Sequence, residues 1–171
     1  MTKEKILVFI QDIGSIMYVG GILSHIVIGA VLGHPDAETA YHVSLYKEAS
    51  AYILILPGLA LKVIADLILY AGAEVKPNWL KLKLLMMAFL SVNAFVFLVP
   101  MMPELVKLAQ DSLPTGEVSQ VFLDKAHTEQ LVGMSNVIPL LLEILLGSFR
   151  PKLFKERQEN ARSATHQRSL S

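Results

Sequence analysis

Four long apolar stretches constrain the fold of this chain more than any other feature. They cover about residues 6–32, 49–71, 82–102 and 131–149. A bilayer core about 30 Å thick needs about 20 helical residues at about 1.5 Å each, so every stretch can cross it. Charged residues make up only 18% of the 171 residues, against about 25% in soluble domains. The sequence therefore predicts an all-α membrane protein, a bundle of four transmembrane helices in a lipid bilayer.

Glycine and proline residues divide the chain into its predicted parts. Residues 1–151 form the transmembrane domain, and residues 152–171 form a basic tail that we expect to be disordered and cytoplasmic. Pro57 and Pro139 fall inside spans and should kink the second and fourth helices. The predicted ends of the four spans are Gly33-His34-Pro35, Gly72, Pro100 with Pro103, and Arg150-Pro151.

Two connections between spans carry helical signals of their own. Pro35-Asp36 can begin a helix that continues without a break into the second span. Helical spacing also persists after the third span and before the fourth, so both helices should project beyond the lipid. Leu113-Pro114-Thr115-Gly116 supplies the turn between them, with Thr115 as a helix cap.

Positive charge is distributed unevenly among the segments that flank the spans. The amino terminus, the middle loop and the tail are basic, with Lys3, Lys5, Lys76, Lys81, Lys83, Arg150, Lys152, Lys155, Arg157, Arg162 and Arg168. The other two connections hold Lys47, Lys107 and Lys125 among many acidic residues. By the positive-inside rule, both termini and the middle loop are cytoplasmic.

The overall composition excludes several functions. Fifteen Lys and Arg residues balance fifteen Asp and Glu residues, so the chain has no basic field to hold nucleic acid. The absence of Cys removes disulfides, iron–sulfur clusters and thiol catalysis. The chain contains no Gly-rich phosphate loop, nucleophile elbow or zinc signature. Whether the protein is an enzyme stays open.

Ionisable residues inside the spans gather toward the cytoplasmic side. They are Asp12, Lys62, Asp66, Lys83 and Glu143. Lys62 and Asp66 are four residues apart on one helix face and can pair, while Glu143 lies at a depth that Lys62 or Lys83 can reach. Such a cluster could relay protons or hold an anionic group, or it could be a static ion-pair lock. The sequence leaves both interpretations open.

Histidine and methionine residues favour the outer side instead. His25, His127, Met101 and Met134 offer imidazole and thioether groups, which are ligands of haem b and copper. The histidines that could contribute to a metal site are His25, His34, His42 and His127. A packing histidine with a hydrogen bond is the alternative for His25, and Asn93 is expected to make one interhelical hydrogen bond.

Three short motifs carry a family resemblance. They are Gly20-Gly21 in the first helix, Trp79-Leu80-Lys81-Leu82-Lys83 at the start of the third, and Gly147 with Pro151 at the end of the fourth. With these motifs, the chain resembles small bacterial four-helix integral membrane proteins. It is similar to the membrane domain of copper-resistance protein D and to the bacterial membrane-bound protoporphyrinogen oxidase.

The resemblance implies a shared fold and a multi-pass location in the bacterial cytoplasmic membrane. Lys83 matches a lysine of the oxidase, but Lys81 stands where the oxidase has a histidine. The early histidine of the oxidase is replaced by Gln11 and Asp12, so a haem here would depend on His25. Three classes remain open for the function: a haem- or copper-binding membrane protein, a proton- or solute-handling protein, and a non-catalytic accessory subunit of a larger membrane complex. The lipid bilayer is the expected partner, with a homo-oligomer or a membrane complex as further alternatives.

Overall fold

Four long helices account for most of the chain. The structure, a computed structural model, describes residues 3–33, 35–73 and 77–149. The helices are α1 (Lys3–Leu32), α2 (Ala37–Gly72), α3 (Asn78–Thr115) and α4 (Gln120–Phe149). All four are long and apolar enough to cross a membrane, and the described residues contain no strand. The prediction of an all-α fold with four membrane-length helices is confirmed. The tail, Arg150-Pro151 and His34 lie outside the described residues.

Side-chain N-caps begin α2 and α4. Asp36 caps α2 by accepting a hydrogen bond from the Thr39 amide at 2.8 Å, which lowers the pKa of the Asp36 carboxyl. As predicted, the helix that begins here continues through the second span. Gly116, with a φ of 75°, makes the turn after α3. The N-cap residue of α4 is Ser119, so the prediction that Thr115 is a helix cap is wrong. Thr115 instead lies in the last turn of α3.

Proline residues interrupt three helices in mid-bundle without ending them. A π-helical segment, Ala51–Ile55, precedes Pro57 in α2, and a second, Asn93–Leu98, precedes Pro100 in α3. A proline lacks the N–H that would bond four residues back, and the wider π turn redirects the neighbouring carbonyls. The predicted end of the third span at Pro100 and Pro103 is not the end of the helix: as the helical spacing after them predicts, α3 continues through both prolines to Thr115.

The central core of the bundle joins all four helices. α1 and α2 approach each other closely in this core, where a Cβ added to Gly14 would lie 2.7 Å from the carbonyl oxygen of Gly58. Buried apolar residues fill the level above this contact. They are Tyr18, Ile22, Ala51, Ile55, Leu59, Met87, Leu90, Ala94, Met102 and Leu140.

A second, smaller core lies at the end of the bundle opposite the termini. We call this end the cap; it consists of Ala37–Ser50, Val99–Ser112 and Gln120–Ser135. Ala40, Leu105, Ala109 and Phe122 are buried together there. The other end of the bundle, which holds Lys3, Gly72, Asn78 and Phe149, is called the terminal end.

Large apolar side chains cover the outside of the helices between these ends. Ile16, Val31 and Ile138 are 73%, 77% and 69% exposed, respectively. A water-soluble monomer rarely exposes so much contiguous apolar surface. The outer surface therefore suits contact with lipid.

Candidate functional site

Four charged side chains meet inside the bundle near its terminal end. We call Lys62, Asp66, Lys83 and Glu143 the buried tetrad. Lys62 Nζ lies 2.8 Å from Glu143 Oε2, and Lys83 Nζ lies 2.7 Å from Asp66 Oδ1. Lys83 Nζ also lies 3.4 Å from Glu143 Oε1. All four residues are at most 3% exposed, so the tetrad is a continuous chain of charges shielded from solvent.

Each helix contributes to the tetrad through its local sequence. Lys62 and Asp66 lie one turn apart on α2, so both face the interior. Lys83 follows the start of α3, and Glu143 precedes the end of α4. From α1, Ser15 Oγ accepts a hydrogen bond from Lys62 Nζ at 2.8 Å. The four charged residues lie about 8–15 Å along their helices from the terminal end.

The pairing within the tetrad differs from the prediction in two ways. Lys62 and Asp66 do not pair with each other, because each reaches across to a different helix. Asp12 is exposed on α1 and does not join the cluster, whereas Ser15, three residues later, faces the interior. The prediction that Lys62 or Lys83 reaches Glu143 is confirmed for both lysines.

The tetrad is electrically balanced but not fully hydrogen-bonded. Two ammonium groups oppose two carboxylates, so the formal charges cancel. Asp66 Oδ2, however, is buried and has no hydrogen-bond partner among the described residues. A carboxylate oxygen without a donor in a low-dielectric interior is a natural position for an added proton, because protonation removes the unsolvated charge. Asp66, at one end of the tetrad, can therefore accept a proton while a lysine of the tetrad carries a second proton.

A second polar group lies at mid-depth between α3 and α4. Asn93 Nδ2 donates to Asn136 Oδ1 at 2.5 Å and to Ser135 Oγ at 3.2 Å. The prediction of an interhelical hydrogen bond from Asn93 is confirmed. Asn136 was not identified from the sequence, although it lies seven residues before Glu143 and hence on the same helix face. This seven-residue spacing was the sequence signal that could have identified Asn136 as an interior residue.

A third polar group lies where the cap meets the rest of the bundle. His25 Nε2 and Ser50 Oγ are 2.5 Å apart, and Lys47 Nζ lies 2.7 Å from Glu129 Oε2. The ammonium nitrogen of Lys47 lies beside Gly29, where an added Cβ would lie 4.0 Å from it. The sequence places Lys47 and Glu129 in the two acidic connections and does not predict their ion pair, because helical spacing does not show which helices lie side by side.

The histidines and methionines proposed as ligands do not gather at one place. His127 and Met134 are exposed, Met101 is buried, and His25 is bonded to Ser50. His42 is exposed at a surface pocket that Asp36 and Glu38 also line. Within residues 3–33, 35–73 and 77–149, no three His, Asp or Glu side chains are placed to share a metal ion. The haem or copper site stays a prediction, which the absorption spectrum of the purified protein tests.

The fold and the tetrad together define a class: a four-helix bundle of membrane length with a charged interior. Comparison with protein-family models, with curated proteins and with solved structures finds no match to this chain.

Proposed function

We propose that this chain is an integral membrane protein that moves protons, with the buried tetrad as the site of proton exchange. We place it in the bacterial cytoplasmic membrane with both termini cytoplasmic, as the distribution of Lys and Arg and the family resemblance indicate. The observation that carries the proposal is the unbroken series of contacts from Ser15 through Lys62, Glu143 and Lys83 to Asp66.

Proton exchange at the tetrad can leave its net charge at zero. A proton arriving at Asp66 Oδ2 neutralises that carboxylate, and Lys83 then keeps Glu143 as its partner. A proton that leaves Lys62 restores the balance of charge. No unpaired charge has to remain in the low-dielectric interior at the end of the exchange.

The competing interpretation is a static ion-pair lock. Stability alone is a weak reason for four buried charges, since well-packed apolar residues often stabilise a protein as well as a buried ion pair does. Each ionisable group within a span also costs about 2.5–3.5 kcal/mol on insertion scales. The two interpretations differ in what happens when the charges are removed in matched pairs.

Proton flux into proteoliposomes distinguishes them. A potassium gradient with valinomycin drives the flux, and an internal pH-sensitive dye reports it. We expect Asp66→Asn, and the paired variant Lys62→Met with Glu143→Gln, to lower the flux at least tenfold. The paired variant leaves neither partner as an isolated buried charge, so it should stay folded.

Glu104→Gln provides the matched control. Glu104 forms an ion pair with Lys125 in the cap, far from the tetrad, and its side chain is 53% exposed. This variant should keep the wild-type flux. Wild-type flux in Asp66→Asn and in the folded paired variant would establish the static lock and refute proton movement through the tetrad.

A further inference from the structure

Asn136 presents a buried hydrogen-bond donor that no group in the described part of the chain satisfies. The residue is 1% exposed, and its Nδ2 atom has no partner among the described residues. Its Oδ1 atom is occupied, because it accepts a hydrogen bond from Asn93. An unpaired amide in an apolar interior is costly, and bound water usually satisfies such a group.

The surroundings of Asn136 also offer an acceptor. Asn136 lies where the α-helical hydrogen bonding of α4 is interrupted, between Ser135 and Val137. Pro139 has no N–H, so the carbonyl of Ser135 loses its ordinary helical donor. A water molecule is the ligand that can accept from an amide and donate to a carbonyl at one place.

Asn136 is also aligned with the tetrad. It precedes Glu143 by seven residues, which places it on the same face of α4 about 10 Å closer to the cap. Tyr18, 1% exposed, lies on α1 one turn beyond Ser15, on the cap side of the tetrad. Apolar residues otherwise fill this level of the bundle.

We propose that the Asn93–Asn136 pair binds water at mid-depth and thereby continues the proton route from the tetrad toward the cap. This inference rests on the proposed function. Asn136 acts as a positioning residue: it holds the water and exchanges no proton itself. Asn93 fixes the orientation of the Asn136 amide by donating to its oxygen.

The test uses the double variant Asn93→Leu with Asn136→Leu in the full-length protein. Removing both partners leaves neither amide orphaned, so the variant should fold as well as the wild type. We expect its proton flux to fall at least tenfold. Infrared spectra of hydrated films should also lose an O–H stretching band that shifts in H₂¹⁸O, since the bound water is no longer held.

Ser91→Ala is the matched control. The Ser91 hydroxyl bonds to the Met87 carbonyl within α3, so this variant removes a polar group without affecting the Asn93–Asn136 pair. It should keep both the flux and the band. Unchanged flux in the folded double variant, or an unchanged water band, would overturn the inference. Absence of flux in the wild type would instead refute the proposed function, while the band would still report on the water site.

Discussion

At the scale of single residues, the tetrad shows what sequence spacing can and cannot determine. Spacing places Lys62, Asp66 and Glu143 on interior faces, because the 3.6-residue period fixes direction around each helix. It does not determine which neighbouring helix each face meets, so Lys62 and Asp66 were paired with each other. The depth of Asp12 in the first span predicts that it joins the charged cluster, but its side chain lies on the outer face of α1.

Removing one charge of the tetrad should be more destabilising than removing a pair. Lys62→Met leaves Glu143 with only its longer contact to Lys83, and we expect a loss of about 3–5 kcal/mol. Adding Glu143→Gln should recover much of this loss. Denaturation of the purified protein in mixed micelles measures both values.

Lys125→Met is the comparison for this prediction. Its partner, Glu104, is half exposed, so the loss should be less than about 1 kcal/mol. Equal losses for Lys62→Met and Lys125→Met would mean that the tetrad is not shielded from solvent.

At the scale of helices, the sequence predicts the four long helices and their extension beyond the membrane spans. Pro100 and Pro103 mark the predicted end of the third span, and the helical spacing after them predicts that the helix itself projects further. Inside a bundle, neighbouring helices and a π-helical segment accommodate the missing hydrogen bonds, and α3 continues. The predicted extensions of α2, α3 and α4 beyond their spans are confirmed. The ion pair between Lys47 and Glu129 was not predicted, because helical spacing does not show which helices lie side by side.

The contact between α1 and α2 should not tolerate a larger residue at Gly58. A Cβ there would lie 2.7 Å from the Tyr18 amide nitrogen and 2.8 Å from the Gly14 carbonyl oxygen. Both are backbone atoms, so the helices would have to move apart, at a cost of about 1–3 kcal/mol. Gly58→Ala should therefore lower the melting temperature in detergent.

Gly20→Ala tests the same change without the contact. A Cβ at Gly20 meets no atom within 4 Å, so this variant should leave the melting temperature unchanged or raise it slightly. A similar loss in both variants would assign the effect to helix propensity and not to the close packing of α1 on α2.

At the scale of the whole molecule, hydropathy and length were sufficient to predict the architecture. Four apolar stretches separated by charged segments permit few arrangements other than a four-helix bundle in a bilayer. The interior groups were harder to predict, since their partners lie as far as 82 residues away in sequence, as for Lys47 and Glu129. Hydropathy contains no information about such pairings.

The orientation of the molecule can be measured by labelling, because the chain contains no native cysteine. We predict that Glu117→Cys, in the turn between α3 and α4, reacts with a membrane-impermeant maleimide in intact cells. Ser171→Cys, at the carboxyl terminus, should react only after the cells are permeabilised. The opposite pattern would reverse the topology inferred from the distribution of Lys and Arg.

The lengths of α2 and α3 divide the molecule between two solvents. At 36 and 38 residues, these helices are about 54 and 57 Å long, nearly twice the thickness of the hydrocarbon layer. In a bilayer, their surplus length would carry the core of Ala40, Leu105, Ala109 and Phe122 into water, where the hydrophobic effect would stabilise it. Within lipid that force is absent, and tight packing and polar contacts replace it. We therefore expect urea and cooling to destabilise the cap more than the membrane-spanning part of the bundle.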